Sequence, residues 1–144
     1  MLNCSDIAQY FLAKVDEDAG DLISNLTLQK LMYYAQGCAL ALLDRPLFPE
    51  PIEAWVHGPV VPALYHEYKG YGTGPIPPPT GLDFSKYDQD TRDLLDEVYA
   101  VYGQFSAWKL CTMTHQEPPW CRTPKGQVIS HDALRAYFTT QVQV

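Results

Sequence analysis

Residues 28–42 constrain the fold more than any other part of this chain, because their apolar side chains follow a helical repeat. The repeat has the spacing of one helix face and comprises Leu28, Leu31, Met32, Ala35, Cys38, Ala39 and Leu42. Thr27 can cap this helix, and Tyr33 and Tyr34 widen its apolar face. Gly37 costs about 1 kcal/mol relative to alanine unless another element packs closely against it. The pattern predicts a central helix, with three polar residues off its apolar stripe: Gln29, Lys30 and Gln36.

Five further segments show helical patterns that begin at a capping residue or a proline. In chain order they start at Ser5 or Asp6, at Pro62, at Asp88 or Asp90, at Ser106, and at Ser130. The inner face of the Ser106 helix is predicted to carry Trp108, Leu110, Cys111 and Met113. Pro118 and Pro119 are expected to break that helix. A length of 144 residues suits one domain. We therefore predict a mainly α fold, a compact single domain over residues 1–144 with about six helices.

Residues 48–60 are apolar but interrupted by prolines, so they predict a short extended or hairpin segment. At its centre Trp55 and His57 flank a turn formed by Gly58 and Pro59, and such a turn fixes aromatic side chains at low entropic cost. Two interpretations stay open. The segment is either a core plug in which a backbone group satisfies His57, or an exposed anchor for a partner protein, since tryptophan is common in interface hot spots. The same two interpretations apply to residues 114–120.

The charge balance narrows the classes of partner. The chain has 10 basic and 17 acidic residues and a net charge of −7, which makes nucleic acid an unlikely partner. The acidic residues concentrate at 16–21 and 83–97, as solvated surface or as a patch that attracts a basic partner. No apolar run approaches the roughly 20 residues that span a bilayer, and the first residues lack the pattern of a signal peptide. We expect a cytoplasmic protein with reduced thiols and no membrane partner.

Catalytic and metal sites have weaker support in the sequence. Cys111 and His115 are four residues apart on a predicted helix and Cys121 follows, which gives three potential zinc ligands. Helical cysteines are more often small core residues, however, and no second pair of ligands has matching spacing. The chain lacks a phosphate-binding loop, a dinucleotide fingerprint and a nucleophile elbow. No cofactor and no metal are expected, and a small enzyme that depends on cysteine or histidine is kept as an alternative.

Several motifs occur in a fixed order along nearly the whole chain. They are Leu-Thr-Leu-Gln-Lys-Leu-Met-Tyr-Tyr-Ala-Gln at 26–36, Pro-Leu-Phe at 46–48, Ile-Glu-Ala-Trp-Val-His-Gly-Pro-Val-Val-Pro at 52–62, Thr-His at 114–115, Pro-Trp at 119–120 and Ile-Ser-His at 129–131. In these motifs the chain resembles the SocA-like, or Panacea, antitoxin domain family, which is also described as phage-associated protein GepA.

This resemblance implies an antitoxin of a bacterial or prophage toxin–antitoxin system, which is not an enzyme and neutralises its cognate protein toxin by direct binding. An alternative that it also implies is a proteolytic adaptor that delivers the toxin to a ClpXP-type protease. The motif positions that are candidates for partner binding are Lys30, Trp55, His57, His115 and Trp120. Acidic surface residues would steer a basic toxin towards this aromatic face. Family members neutralise diverse toxins, so the motifs do not identify this one.

Overall fold

The structure is a computed structural model that describes residues 1–142 and is mainly helical, as predicted. Those residues form seven α-helices: α1 Cys4–Ala13, α2 Asn25–Leu42, α3 Pro62–Tyr68, α4 Gln89–Tyr102, α5 Ala107–His115, α6 Pro118–Cys121 and α7 His131–Gln141. Two short strands, β1 Glu53–Trp55 and β2 Gly58–Val60, pair as an antiparallel hairpin. Within the same residues, no helix combines the length and the apolar character that crossing a bilayer requires.

The sequence located the helices well but placed two N-terminal caps wrongly. Asn3, and not Ser5 or Asp6, caps α1, because its Oδ1 accepts the backbone N–H of Asp6 at 2.8 Å while the Asp6 carboxylate accepts the N–H of Asn3. Ser24 caps α2, because its hydroxyl oxygen accepts a hydrogen bond from the backbone N–H of Thr27. Both helices therefore begin before the residue that the apolar pattern indicated.

Pro118 and Pro119 have two different effects after the end of α5. The prediction that Pro118 and Pro119 break the helix is correct for α5, which ends at His115. The same two prolines, however, start α6, a four-residue helix that the sequence pattern did not indicate. Proline is well suited to the first turn of a helix, because its fixed φ is already helical and its missing N–H would have no partner there.

Helix α2 is central, as predicted, and packs against α1, α3, α4, α5, α7 and β2. Helix α7 packs against it at Gly37. A Cβ at that position would lie 2.2 Å from the ring of Phe138, so the glycine allows the contact that the sequence analysis required of it. Phe138 is 1% exposed, and the aromatic rings of Tyr33 and Tyr34 pack edge-on against it.

The three polar residues off the apolar stripe of α2 are buried as well, which the sequence did not indicate. Gln36 receives the backbone N–H of Leu47 at 2.7 Å and donates to the carbonyl of Phe48 at 2.9 Å. Gln29 accepts the N–H of Val61 at 2.9 Å. Irregular backbone loses its hydrogen bonds to water when it is buried, so polar side chains of α2 replace them. In this way α2 fixes the proline-interrupted segment that carries the hairpin.

Candidate functional site

An open groove of about 970 Å³ lies on one side of the molecule. Its walls are the first turns of α2, the hairpin, α3 with the turn after it, α5, and the loop that follows α6. This volume is at the upper end of the range of about 300–1,000 Å³ that is typical of ligand pockets. Most of the lining is apolar or aromatic, so the groove is the candidate functional site.

The structure brings four of the five predicted site residues together at this groove. Trp55, His57 and His115 line it. Trp120 lies behind them, where its indole N–H donates to the carbonyl of Trp55 at 2.7 Å and its ring stacks on His115 with a centroid distance of 4.2 Å. His115 Nε2 lies 3.0 Å from the carbonyl oxygen of Val56. Residues from two distant motifs thus hold the hairpin turn in one position.

Lys30, the fifth predicted residue, is fully buried beneath the turn. Its Nζ donates to the carbonyl of Pro59 at 3.1 Å, and burial lowers its pKa to about 8. Gly58 above it has a φ of +116°, and a Cβ there would lie 2.7 Å from Lys30 Cε and 2.8 Å from Thr114 Oγ1. The buried lysine, Thr114 and the glycine therefore fix the conformation of the turn.

The two interpretations of the hairpin apply to different residues of it. Trp55 is half-buried, with its ring edge-on to Tyr65 at 5.1 Å and its indole N–H bonded to Glu53 at 2.9 Å. His57 is exposed at the turn, so it is not the satisfied core histidine of the first interpretation. Val56 beside it is 73% exposed. The turn presents apolar and aromatic surface to solvent while its base is part of the core.

One residue of the groove contradicts the sequence analysis. Trp108 was expected inside the α5 helix but is 81% exposed, on the face of α5 that lines the groove. The core-facing side of this helix includes Leu110 and Thr114, both fully buried, and Cys111 is buried as predicted. The i, i+4, i+7 spacing from Trp108 through Thr112 to His115 was visible in the sequence. A helix of nine residues with apolar groups on more than one side does not show which face is outside.

Sequence reasoning also missed a half-buried carboxylate behind the groove. Glu117 accepts hydrogen bonds from the hydroxyls of Tyr33 and Tyr34, each at 2.9 Å, and from Tyr137. Burial raises the pKa of Glu117, although the three hydroxyls oppose this shift. The cluster ties the segment between α5 and α6 to both α2 and α7, and so holds Trp120 in place.

The groove is short of negative charge. The lining residues include Lys69 and Lys125 together with His57 and His115, and among residues 1–142 no aspartate or glutamate lines it. The polar side chains of its floor are already satisfied within the protein. Gln29 donates to Asn25 at 2.9 Å, and Asn25 donates to the carbonyl of Tyr65 at 3.2 Å.

The potential zinc ligands are not brought together. Cys111 is buried against the groove wall, His115 is bonded to the hairpin, and Cys121 is exposed at the last residue of α6. Across the part of the chain that the structure describes, no three histidine, cysteine or acidic side chains are grouped as a metal site would require. The arrangement at the groove is suited to contact with another molecule through apolar and cationic groups.

Comparison with known proteins adds two findings. The family described as antitoxin SocA-like, Panacea domain, matches residues 28–121, a range that includes all five predicted site residues. Antitoxin SocA of Caulobacter vibrioides (strain NA1000 / CB15N) is 35% identical over 109 residues, which cover 68% of this chain and 58% of that relative. The chain thus spans less than two thirds of the length of the curated relative that it matches. None of the solved structures gives a significant match.

Proposed function

Since the chain belongs to the antitoxin SocA-like, Panacea domain family, we propose that it is an antitoxin that neutralises a protein toxin by binding it directly. The observation that supports this function best is the groove beside the hairpin, where Trp108 and Val56 expose large apolar surfaces around a fixed turn. Exposed apolar surface of this kind marks a contact site, because contact with a partner removes it from water.

The mechanism that we propose is occlusion by a preorganised surface. A binding surface that is already rigid loses less conformational entropy when the partner docks. Here Lys30, His115 and Trp120 hold the turn through bonds to three backbone carbonyls of the hairpin. Trp55, His57 and Trp108 then supply the contact surface. Lys30 acts as a positioning residue, since it is buried and does not reach the surface.

The test is a growth-rescue assay in which the chain is co-expressed with a toxin encoded beside it. Trp108→Ala is the sharpest variant, because a side chain that is 81% exposed contributes little to the core. We expect Trp108→Ala to reduce rescue strongly while its unfolding midpoint stays within experimental error of the parent. Trp55→Ala should also lose rescue, and its fold has to be checked because Trp55 is half-buried.

Leu42→Ala is the matched control. Leu42 is 50% exposed and apolar, but it lies at the last residue of α2, whereas the groove is at the first turns of that 18-residue helix. The two ends are separated by about 25 Å. Leu42→Ala should therefore rescue growth as the parent does. Full rescue by a folded Trp108→Ala, Trp55→Ala double variant would contradict binding through this groove.

The same cells separate occlusion from the two alternatives. If the protein occludes the toxin, the toxin persists at an unchanged half-life while growth is restored. A toxin that disappears only when a ClpXP-type protease is present would instead identify a proteolytic adaptor. Cys111→Ala tests the enzyme alternative, because it removes the thiol beside the groove without touching the exposed surface. Unaltered rescue by Cys111→Ala is the result that a binding mechanism requires.

A further inference from the structure

From the distribution of charge around the groove, we infer that its occupant is an acidic segment of the partner protein, in which a bulky apolar side chain stands next to one or more carboxylates. The inference rests on the proposed function for the existence of a protein partner. It goes beyond that function by stating the chemistry of the segment that binds.

The lining of the groove has the opposite charge to the molecule as a whole. The chain carries 17 acidic and 10 basic residues, yet Lys69 and Lys125 line the groove and, among the residues that the structure describes, no carboxylate does. Three acidic residues lie close to lining residues along the chain, namely Glu53, Glu67 and Glu117. Their carboxylates accept hydrogen bonds from other side chains of the protein, and none of the three lines the groove. A surface with this charge favours an acidic ligand over a basic one.

The two lysines of the groove have no carboxylate partner among the residues that the structure describes. Within residues 1–142, four basic side chains pair with carboxylates, namely Lys14, Arg45, Lys86 and Arg135. Lys69 is exposed and has neither an ion pair nor a hydrogen bond from its side chain in that range. Lys125 lies 3.7 Å from the centroid of the Trp120 ring and donates to backbone carbonyls, which leaves its charge without a counterion.

The apolar part of the groove explains why the segment needs a bulky side chain. Trp108 and Val56 stand exposed at its wall, and Trp55 and Tyr65 form a half-buried aromatic pair inside it. An apolar side chain placed between these groups would bury both surfaces. The volume of about 970 Å³ is large enough for several side chains of an extended segment and exceeds what one side chain fills.

A protein segment suits the groove better than a small metabolite does. Small-molecule pockets fix orientation through a few free, directed polar groups. In this groove the amides of Asn25 and Gln29 already bond to each other and to the backbone. The permanently charged groups of the lining are the ammonium groups of Lys69 and Lys125, which sit on flexible stems and bind carboxylates in many positions. Such a site selects a type of segment and tolerates differences in its sequence.

The acidic remainder of the surface strengthens this selection. The exposed acidic residues of the segments 16–18 and 90–97 lie outside the groove lining. They repel an acidic segment from those surfaces and leave the groove as the favourable place to dock. The acidic residues therefore do not attract a basic toxin into the groove. They restrict where an acidic segment of the partner binds.

The test is a selection from a random-peptide display library on the full chain. The parent protein should enrich peptides that are net negative and contain at least one aromatic or large aliphatic residue. The double variant Lys69→Glu, Lys125→Glu should lose this enrichment. The matched control is Lys14→Glu, Lys86→Glu, which changes the net charge equally but at ion pairs outside the groove. It should retain the enrichment, and circular dichroism checks that both variants are folded.

An enriched peptide is then synthesised with a fluorescent label, and its affinity is measured by anisotropy at low and high salt. We expect Lys69→Glu, Lys125→Glu to weaken binding by about tenfold or more, and Trp108→Ala to weaken it by a similar factor. Enrichment of basic or uncharged peptides, no enrichment at all, or acidic peptides whose binding is unaffected by the groove variants would each overturn the inference. Growth rescue reports on the proposed function separately, since rescue can persist while the peptide preference proves wrong.

Discussion

Lys30, buried behind the hairpin, and Glu117, half-buried at the start of α6, are two ionisable side chains that the protein satisfies differently. Lys30, below the hairpin, has one acceptor, the carbonyl of Pro59. Glu117, between α2 and α7, has three tyrosyl donors. The carboxylate cluster joins three helical segments, so its main role is to hold them together. The lysine site has fewer partners and lies directly under the surface that we propose for binding, so its disruption should affect function more than stability.

Glu117→Ala should have the largest effect on stability. It leaves the hydroxyls of Tyr33 and Tyr34, both fully buried residues, without an acceptor. We expect the free energy of unfolding to fall by about 3 kcal/mol, measured by urea denaturation. Glu117→Gln is the matched control, because its amide keeps one oxygen acceptor and should lose about half as much. Equal losses for the two variants would show that hydroxyl satisfaction is not what stabilises the cluster.

Gly58→Ala tests the lysine side of the comparison with a smaller expected loss. The new Cβ would meet Lys30 Cε and Thr114 Oγ1 at a φ of +116°, so both the turn and the lysine have to move. We expect a loss of about 2 kcal/mol in unfolding free energy together with loss of growth rescue. Gly20→Ala, at a φ of +85° with no atoms near its Cβ, is the control for backbone strain alone. It should cost less and leave the hairpin turn unchanged.

Lys30→Met should change the pH dependence of stability, with the smallest effect of the three. The pKa of Lys30 is lowered from 10.5 to about 8, so between those values the unfolded chain binds more protons than the folded one. This lysine therefore adds stability as pH rises from about 8 towards 10.5, and lowers stability below that window.

The measurement is the difference in unfolding free energy between the parent and Lys30→Met at pH 8 and pH 9.5. The difference is needed because Cys4 and Cys38, whose pKa values burial raises to about 12, make stability fall with pH in both proteins. We expect the parent to gain about 1–2 kcal/mol relative to Lys30→Met over this range. A difference that does not change with pH would mean that the lysine stays protonated in its buried site.

The sequence was informative wherever a local pattern decided the structure. The apolar repeat of α2 predicted its central position, Gly37 predicted a close contact, and the prolines predicted the hairpin region. Burial of Gln29, Lys30 and Gln36 was not predictable in this way. It depends on which distant segment covers the polar side of α2, and no local spacing encodes that. A polar side chain is favoured inside once it bonds to irregular backbone.

The candidate site was predictable in its residue types but not in its geometry. Trp55, His57, His115 and Trp120 were singled out from two motifs, and the structure places those motifs together at one turn. The exposure of Trp108 and the cationic lining of the groove could not be derived from composition. A net charge of −7 describes the whole chain and conceals a local excess of the opposite sign.

The contact between Gly37 and Phe138 has a consequence for how this protein comes into being on the ribosome. The two residues are far apart in the sequence but in contact in the fold, where α7 supplies the ring that covers this part of α2. Until α7 has been synthesised, that surface of α2 stays open to water and to proteases. Newly made protein therefore completes this part of its core only after α7 has left the ribosome.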